Sequence, residues 1–249
     1  MSGDRRIALV ANAGVYVGPP LARLLAARGH DIVLGDPDPA LVDELVAAGA
    51  QIEIVDGVGD LADESSASRL VDAALARFGR IDAATMSSGV IVTGKFFDAA
   101  SFEDFQLAVR GCMEAPYRFL KAVVPPMVER GEGGQVLVQT SAAGARATRG
   151  APLYSAARAG ANHLVRNVAD EVARHGVQVN AVGTNFMDFP GFLAANRADT
   201  PEGRARVEAA VPMKRLGTMD EFAAFCAVFL DGTSGFTTGQ FVPYAGGWA

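Results

Sequence analysis

The chain predicts an α/β fold in one domain, residues 1–249, built on a doubly wound, Rossmann-like, mostly parallel sheet of seven strands. Short apolar runs alternate along the sequence with stretches whose apolar residues recur at helical spacing. The length of 249 residues suits one large domain with a substantial core, and no repeat, low-complexity tract or linker interrupts it. Strands joined through helices run parallel, so we expect helices on both faces and ligands beyond the carboxyl ends of the strands.

The predicted elements follow from the apolar pattern. RIALVA, residues 6–11, predicts the first strand, which a turn joins to a helix rich in alanine and leucine. Later apolar runs predict strands at residues 31–35, 51–55, 81–86, 135–140, 177–182 and 240–243. Helical spacing predicts helices at residues 65–78, 101–129, 152–175 and 219–230.

Prolines modify the predicted course and ends of these helices. Pro116 predicts a kink or break within residues 101–129, and Pro125 and Pro126 predict the end of that stretch. Pro152 suits the first turn of its helix. Residues 183–212 are predicted to be irregular.

Composition excludes several classes of function. Lys and Arg number 22 against 28 Asp and Glu, a net charge of −6, so we expect no nucleic-acid partner. Cys112 and Cys226 lie in apolar contexts without CxxC spacing, and three dispersed histidines predict no metal site. No signal-like opening and no run of 18 apolar residues occurs, so we expect a cytoplasmic protein without membrane contact.

One stretch carries a candidate catalytic site. Ser141 ends a predicted strand, and the next helix carries Tyr154 and Arg158, four residues apart and therefore on one helix face. A nearby guanidinium favours the phenolate, and lowering a tyrosine pKa from ~10 to ~7 requires roughly 4 kcal/mol. The hypothesis is a general base working near neutral pH, with Ser141 bonded to the same substrate oxygen. The alternative is an ordinary i, i+4 pair and a turn serine.

The turn after the first strand lacks the glycines of a dinucleotide site. It reads ANAGVYVG, residues 11–18, with Tyr16 where a glycine is expected, so we expect no cofactor. Asp36, after the second predicted strand, has two interpretations: a ribose ligand or, more simply, a surface turn aspartate.

The whole chain resembles the short-chain dehydrogenase/reductase superfamily, from its opening strand, turn and helix to the AGGW near its end. It departs from the reductases at three motifs. ANAGVYVG replaces TGxxxGxG, residues 86–89 read MSSG in place of NNAG, and Tyr154 to Arg158 replaces YxxxK. Each change removes a cofactor contact that the family would imply.

Together these departures resemble the halohydrin dehalogenases, whose signature joins Ser, Tyr and Arg with a threonine, four residues, an aromatic, one residue and a glycine. Tyr16 and Gly18 match the second part, and Ala11 stands where the threonine is expected. The resemblance implies a Ser141, Tyr154 and Arg158 triad and a halide pocket in the former nicotinamide space, walled by Tyr16, Thr184, Asn185, Phe186 and Met187.

The implied reaction is cofactor-independent closure of vicinal haloalcohols to epoxides with release of halide, and the reverse opening of epoxides by azide, cyanide or nitrite. The resemblance also implies a homotetramer, formed through residues 101–129 and 152–174 and through the last strand and helix. Two other interpretations stay open: a divergent NAD(P)-dependent reductase and a non-catalytic member of the superfamily. Phe186 and Met187 would then be core residues, and Asn185 a helix cap.

Overall fold

The computed structural model describes residues 5–99 and 101–249. Seven strands form one sheet in the order β3-β2-β1-β4-β5-β6-β7, and every neighbouring pair is parallel. The strands are β1 (Arg6–Val10), β2 (His30–Gly35), β3 (Ile52–Val55), β4 (Ala83–Ser87), β5 (Gly134–Ser141), β6 (Val177–Thr184) and β7 (Phe241–Tyr244). The predicted α/β class and seven-stranded sheet are confirmed.

Helices cover both faces of the sheet. They are α1 (Gly18–Ala27), α2 (Pro39–Ala47), α3 (Ser66–Phe78), α4 (Phe96–Ala99), α5 (Phe102–Val109), α6 (Ala115–Arg130), α7 (Pro152–Val172), α8 (Pro190–Ala195), α9 (Pro201–Ala209) and α10 (Met219–Ala227). One buried apolar cluster joins the sheet to α3, α6 and α7, and a second joins it to α1, α2 and α10. This two-sided burial explains why the strands read as continuous apolar runs.

Within the long predicted helix, the structure differs from the prediction at Pro125 and Pro126. Residues 110–114 form a π-helical turn just before Pro116, which accounts for the predicted break. Pro125 and Pro126 do not end the helix; α6 continues to Arg130 and stops at Gly131, whose φ is 73°. Burial of Val123, Val124 and Met127 against the sheet offsets the backbone bonds that prolines remove.

Residues 183–212 are not wholly irregular, because they contain α8 and α9. Pro190 and Pro201 occupy first turns, and the Thr200 hydroxyl accepts from the Gly203 N–H at 3.1 Å. The sequence interpretation also omitted α2, whose N-cap Asp38 accepts from the Ala40 N–H at 2.8 Å.

Strand register places the candidate residues. Ser141 and Thr184 are paired positions at the carboxyl ends of β5 and β6, and the turn after β1 opens at the same edge. Within residues 5–99 and 101–249, no helix is both long and apolar enough to cross a bilayer.

Candidate active site

A cavity of about 540 Å³ lies at the carboxyl edge of the sheet. All eight residues singled out in the sequence line it: Tyr16, Ser141, Tyr154, Arg158, Thr184, Asn185, Phe186 and Met187. Their chemical roles stay predictions, whereas their common location is a property of the fold. The volume lies within the range typical of small-molecule sites.

Ser141 is positioned by its strand and by the short 3₁₀ turn that follows. Its hydroxyl accepts from the Ala143 N–H at 3.1 Å and donates to the Thr184 carbonyl at 3.3 Å. The donated bond is long, so the hydroxyl can redirect this hydrogen bond to a substrate oxygen at small cost.

Tyr154 and Arg158 share one face of α7, as predicted from their spacing. The guanidinium carbon of Arg158 lies 5.0 Å from the centroid of the Tyr154 ring, so the charge sits over the ring face. Arg158 is only 4% exposed, which limits the screening of its charge by water.

Arg158 is held by a residue to which the sequence interpretation gave no role. Nη1 donates to Ser88 Oγ at 2.9 Å, and Nη2 donates to the Ser88 carbonyl oxygen. The MSSG segment, residues 86–89, differs visibly from the family motif, but the pairing depends on how the fold brings α7 to the residues after β4.

Tyr16 lines the cavity at the first turn. Its hydroxyl lies 2.6 Å from Thr184 Oγ1, and its ring meets Phe189 at 4.9 Å and Phe222 at 5.8 Å between centroids. Burial raises the pKa of Tyr16 well above its ordinary value, so the phenol stays protonated at neutral pH. Tyr16 adopts a left-handed φ of 54°, which the surrounding contacts hold in place.

The first turn differs from a dinucleotide-binding turn at one position. In sheets of this kind the pyrophosphate lies in the crevice beside the glycine-rich turn, at the N-terminus of the first helix. Here Tyr16 stands in that turn and lines the cavity, with its hydroxyl bonded to Thr184. Asp36 accepts from the N–H groups of Gly57 at 2.6 Å and Val58 at 2.9 Å, which supports its interpretation as a turn residue.

The loop after β6 forms another wall. Phe186 has a φ of 57°, and its N–H donates to Asn185 Oδ1 at 2.9 Å, so that donor is already engaged. Asn185 does not cap α8, whose N-cap is Phe189. Met187 is buried and forms a β-bridge with Gly217, whereas the Phe186 ring lies 5.5 Å from that of Trp248.

Three further cavity residues come from the segment predicted to be irregular. Phe189, Phe192 and Asn196 lie on or beside α8. Phe189 and Phe192 are three positions apart, which is compatible with one helix face. However, α8 has six residues, which is too short a pattern to predict a helix from the sequence. Across the described ranges 5–99 and 101–249, no group of three or more His, Cys, Asp or Glu forms a candidate metal site.

Comparisons with known proteins agree on the fold and divide on the chemistry. A family model described as Enoyl-(Acyl carrier protein) reductase matches residues 14–249. Oxidoreductase UcpA of Escherichia coli (strain K12) is 28% identical over 242 residues, which cover 94% of this chain and 90% of that protein.

Among solved structures, levodione reductase superimposes with a TM-score of 0.85 at 27% identity, covering 97% of this chain and 96% of the other. A protein named "Dehalogenation enzyme" superimposes with a TM-score of 0.82 at 31% identity, covering 100% of both chains. Similarity therefore extends over nearly the whole chain to proteins named for redox chemistry and to one named for dehalogenation.

Proposed function

We propose that this chain, which belongs to the short-chain dehydrogenase/reductase superfamily, is a halohydrin dehalogenase. It would close vicinal haloalcohols to epoxides with loss of halide, and open epoxides with small anions in reverse. One observation carries the proposal: Tyr16, in the first turn and bonded to Thr184, lines the same cavity as Ser141, Tyr154 and Arg158.

In the proposed reaction the Tyr154 phenolate takes the proton of the substrate hydroxyl. The alkoxide oxygen forms a bond to the neighbouring carbon while the carbon–halogen bond breaks, and the halide departs with the bonding electron pair. Tyr154 then returns its proton to solvent. No hydride is transferred, so the balance requires no redox partner.

Ser141 and Arg158 would both support this step. The Ser141 hydroxyl, held by the Ala143 N–H, would donate to the substrate oxygen. The buried Arg158 cation lies over the face of the Tyr154 ring, where its charge would act on the proposed base.

The Tyr16 and Thr184 hydroxyls supply a donor for the departing anion. A hydroxyl pair at 2.6 Å contains two protons, of which one lies between the oxygens and the other is free to donate. Because burial raises the pKa of Tyr16, this donor persists at neutral pH. A neutral donor binds halide without a full opposing charge, which allows the product to leave. The relative named a dehalogenation enzyme supports the same chemistry.

The alternative is a divergent NAD(P)-dependent oxidoreductase, which the names of the curated relatives favour. Halide release from a vicinal chlorohydrin and bromohydrin, measured without NAD(P)H, separates the two proposals. We expect release by the wild type and none above background by Tyr154→Phe. No release by wild type, together with NADPH binding seen by nicotinamide fluorescence, would establish the alternative.

A further inference from the structure

The segment after β4 lies directly against the buried guanidinium of α7. The Ser88 N–H donates to the Gln139 carbonyl at 3.3 Å, which extends the β4–β5 pairing by one residue and fixes the Ser88 backbone. From that position Ser88 accepts twice, through Oγ from Arg158 Nη1 at 2.9 Å and through its carbonyl from Nη2. A single residue therefore matches both arms of the guanidinium fork.

Gly89 makes room for this contact. A Cβ placed there would overlap with Nη2 of Arg158, and its Cζ would lie 2.6 Å away. Gly89 also has a φ of 139°, which L side chains rarely adopt. Both observations require glycine at position 89 while Arg158 occupies its present place.

In the part of the chain that the structure describes, the other contact of the Arg158 guanidinium is the face of the Tyr154 ring. No carboxylate among residues 5–99 and 101–249 forms an ion pair with it, and its buried Nε has no hydrogen-bond partner there. A buried cation held by neutral acceptors depends on each of them, since losing one leaves a desolvated charged donor unpaired.

We infer that Ser88 is a positioning residue, which holds the Arg158 guanidinium over the Tyr154 ring, and that Gly89 provides the space. This inference rests on the proposed function for its kinetic consequence. Ser88 acts through Arg158 and Tyr154, so its loss should affect the chemical step more than substrate affinity.

The anchoring itself is testable without activity. In protein labelled with ¹⁵N-arginine, the guanidinium N–H signals of Arg158 are identified by their absence in Arg158→Lys. We expect slow hydrogen exchange at these signals in wild type and in Ser88→Thr, which keeps the hydroxyl. Exchange should be faster by about tenfold or more in Ser88→Ala, because Nη1 loses its acceptor. Unchanged exchange in Ser88→Ala overturns the inference.

Kinetics then test the consequence. For Ser88→Ala we expect kcat for halide release to fall about tenfold with KM changed less than about twofold. Ser88→Thr should restore kcat, and Ser68→Ala, an exposed serine on α3, is the neutral control.

Gly89→Ala should displace Arg158 and lower kcat further. Gly49→Ala is its matched control, because Gly49 has a φ of 85° and nothing within 4 Å of an added Cβ. Equal losses in the two glycine variants would assign the effect to backbone strain and contradict the inference. Absence of halide release by wild type would refute the proposed function, and the exchange experiment would still decide the anchoring.

Discussion

The hydroxyl of Tyr16 lies 2.6 Å from Oγ1 of Thr184, which joins the turn after β1 to the end of β6 across the crevice between them. One of these residues replaces a glycine of the dinucleotide motif, and the other ends a strand more than half the chain away. Their bond links two elements that line the cavity and leaves one hydroxyl proton free to donate.

Removing the Tyr16 hydroxyl, one of the two that form this donor pair, should weaken anion binding. In Tyr16→Phe we expect the inhibition constant of bromide, the product of a bromohydrin, to rise about tenfold. The free energy of unfolding should fall by about 1 kcal/mol, since Thr184 loses its partner. Inhibition of halide release by bromide measures the inhibition constant, and urea denaturation measures the free energy of unfolding. Tyr117→Phe, at a half-exposed tyrosine of α6, is the matched control and should change neither.

The proposed base should dominate the rate. Tyr154→Phe removes only a hydroxyl, and we expect halide release to fall roughly a hundredfold to ten-thousandfold, with unchanged circular dichroism. A residual rate within a factor of about three of wild type would eliminate Tyr154 as the base.

Arg158→Lys tests the geometry of the cation. A lysine keeps the charge but cannot reach both acceptors of Ser88 as a fork, so we expect a loss of about tenfold or more in kcat. Arg166→Lys, at an exposed position of the same helix, should leave kcat unchanged. Full activity of the Arg158→Lys variant would show that charge alone suffices.

Asp82 anchors the opposite edge of the sheet. Its buried carboxylate accepts from Arg80 Nη2 at 2.7 Å and from the Ile7 N–H at 2.8 Å, and it lies 3.1 Å from Arg130 Nη2. Burial raises the pKa of Asp82, but the hydrogen bonds from Arg80 and Ile7 and the charge of Arg130 outweigh burial and lower that pKa below its ordinary value. We expect Asp82→Asn to lower the free energy of unfolding at pH 7 by about 3 kcal/mol.

The pH dependence of that loss follows from the sign of the shift. A carboxylate with a depressed folded pKa stabilises the fold above its unfolded pKa of about 3.9, and the contribution disappears as pH falls towards the folded value. The difference between wild type and Asp82→Asn should therefore shrink below about pH 4. The exposed Asp43→Asn is the control, and a constant difference across this range would contradict the assignment.

Assembly is a separate prediction. Phe102 and Phe105 of α5 are stacked at 5.8 Å and are 67% and 46% exposed, within the segment expected to form a tetramer interface. Sedimentation should give about four times the chain mass of 25.9 kDa. A mass near that of one chain would rule the tetramer out.

The residue order was sufficient to predict the sheet and the helix face shared by Tyr154 and Arg158. Both depend on local periodicity: strands buried on two faces read as apolar runs, and residues four apart on a helix meet. The replacement of a motif glycine by Tyr16 was equally visible, because it is a property of one position.

Tertiary packing alone decided the partners of these residues. Tyr16 and Thr184 are separated by 168 positions, and Ser88 and Arg158 by 70, so no local rule relates them. The continuation of α6 through Pro125 and Pro126, and the helices within residues 183–212, likewise depend on burial against distant elements. Contacts between remote segments arise only when the sheet brings strand ends together, and for that reason the hydrogen bonds between these residues could not be predicted from the sequence.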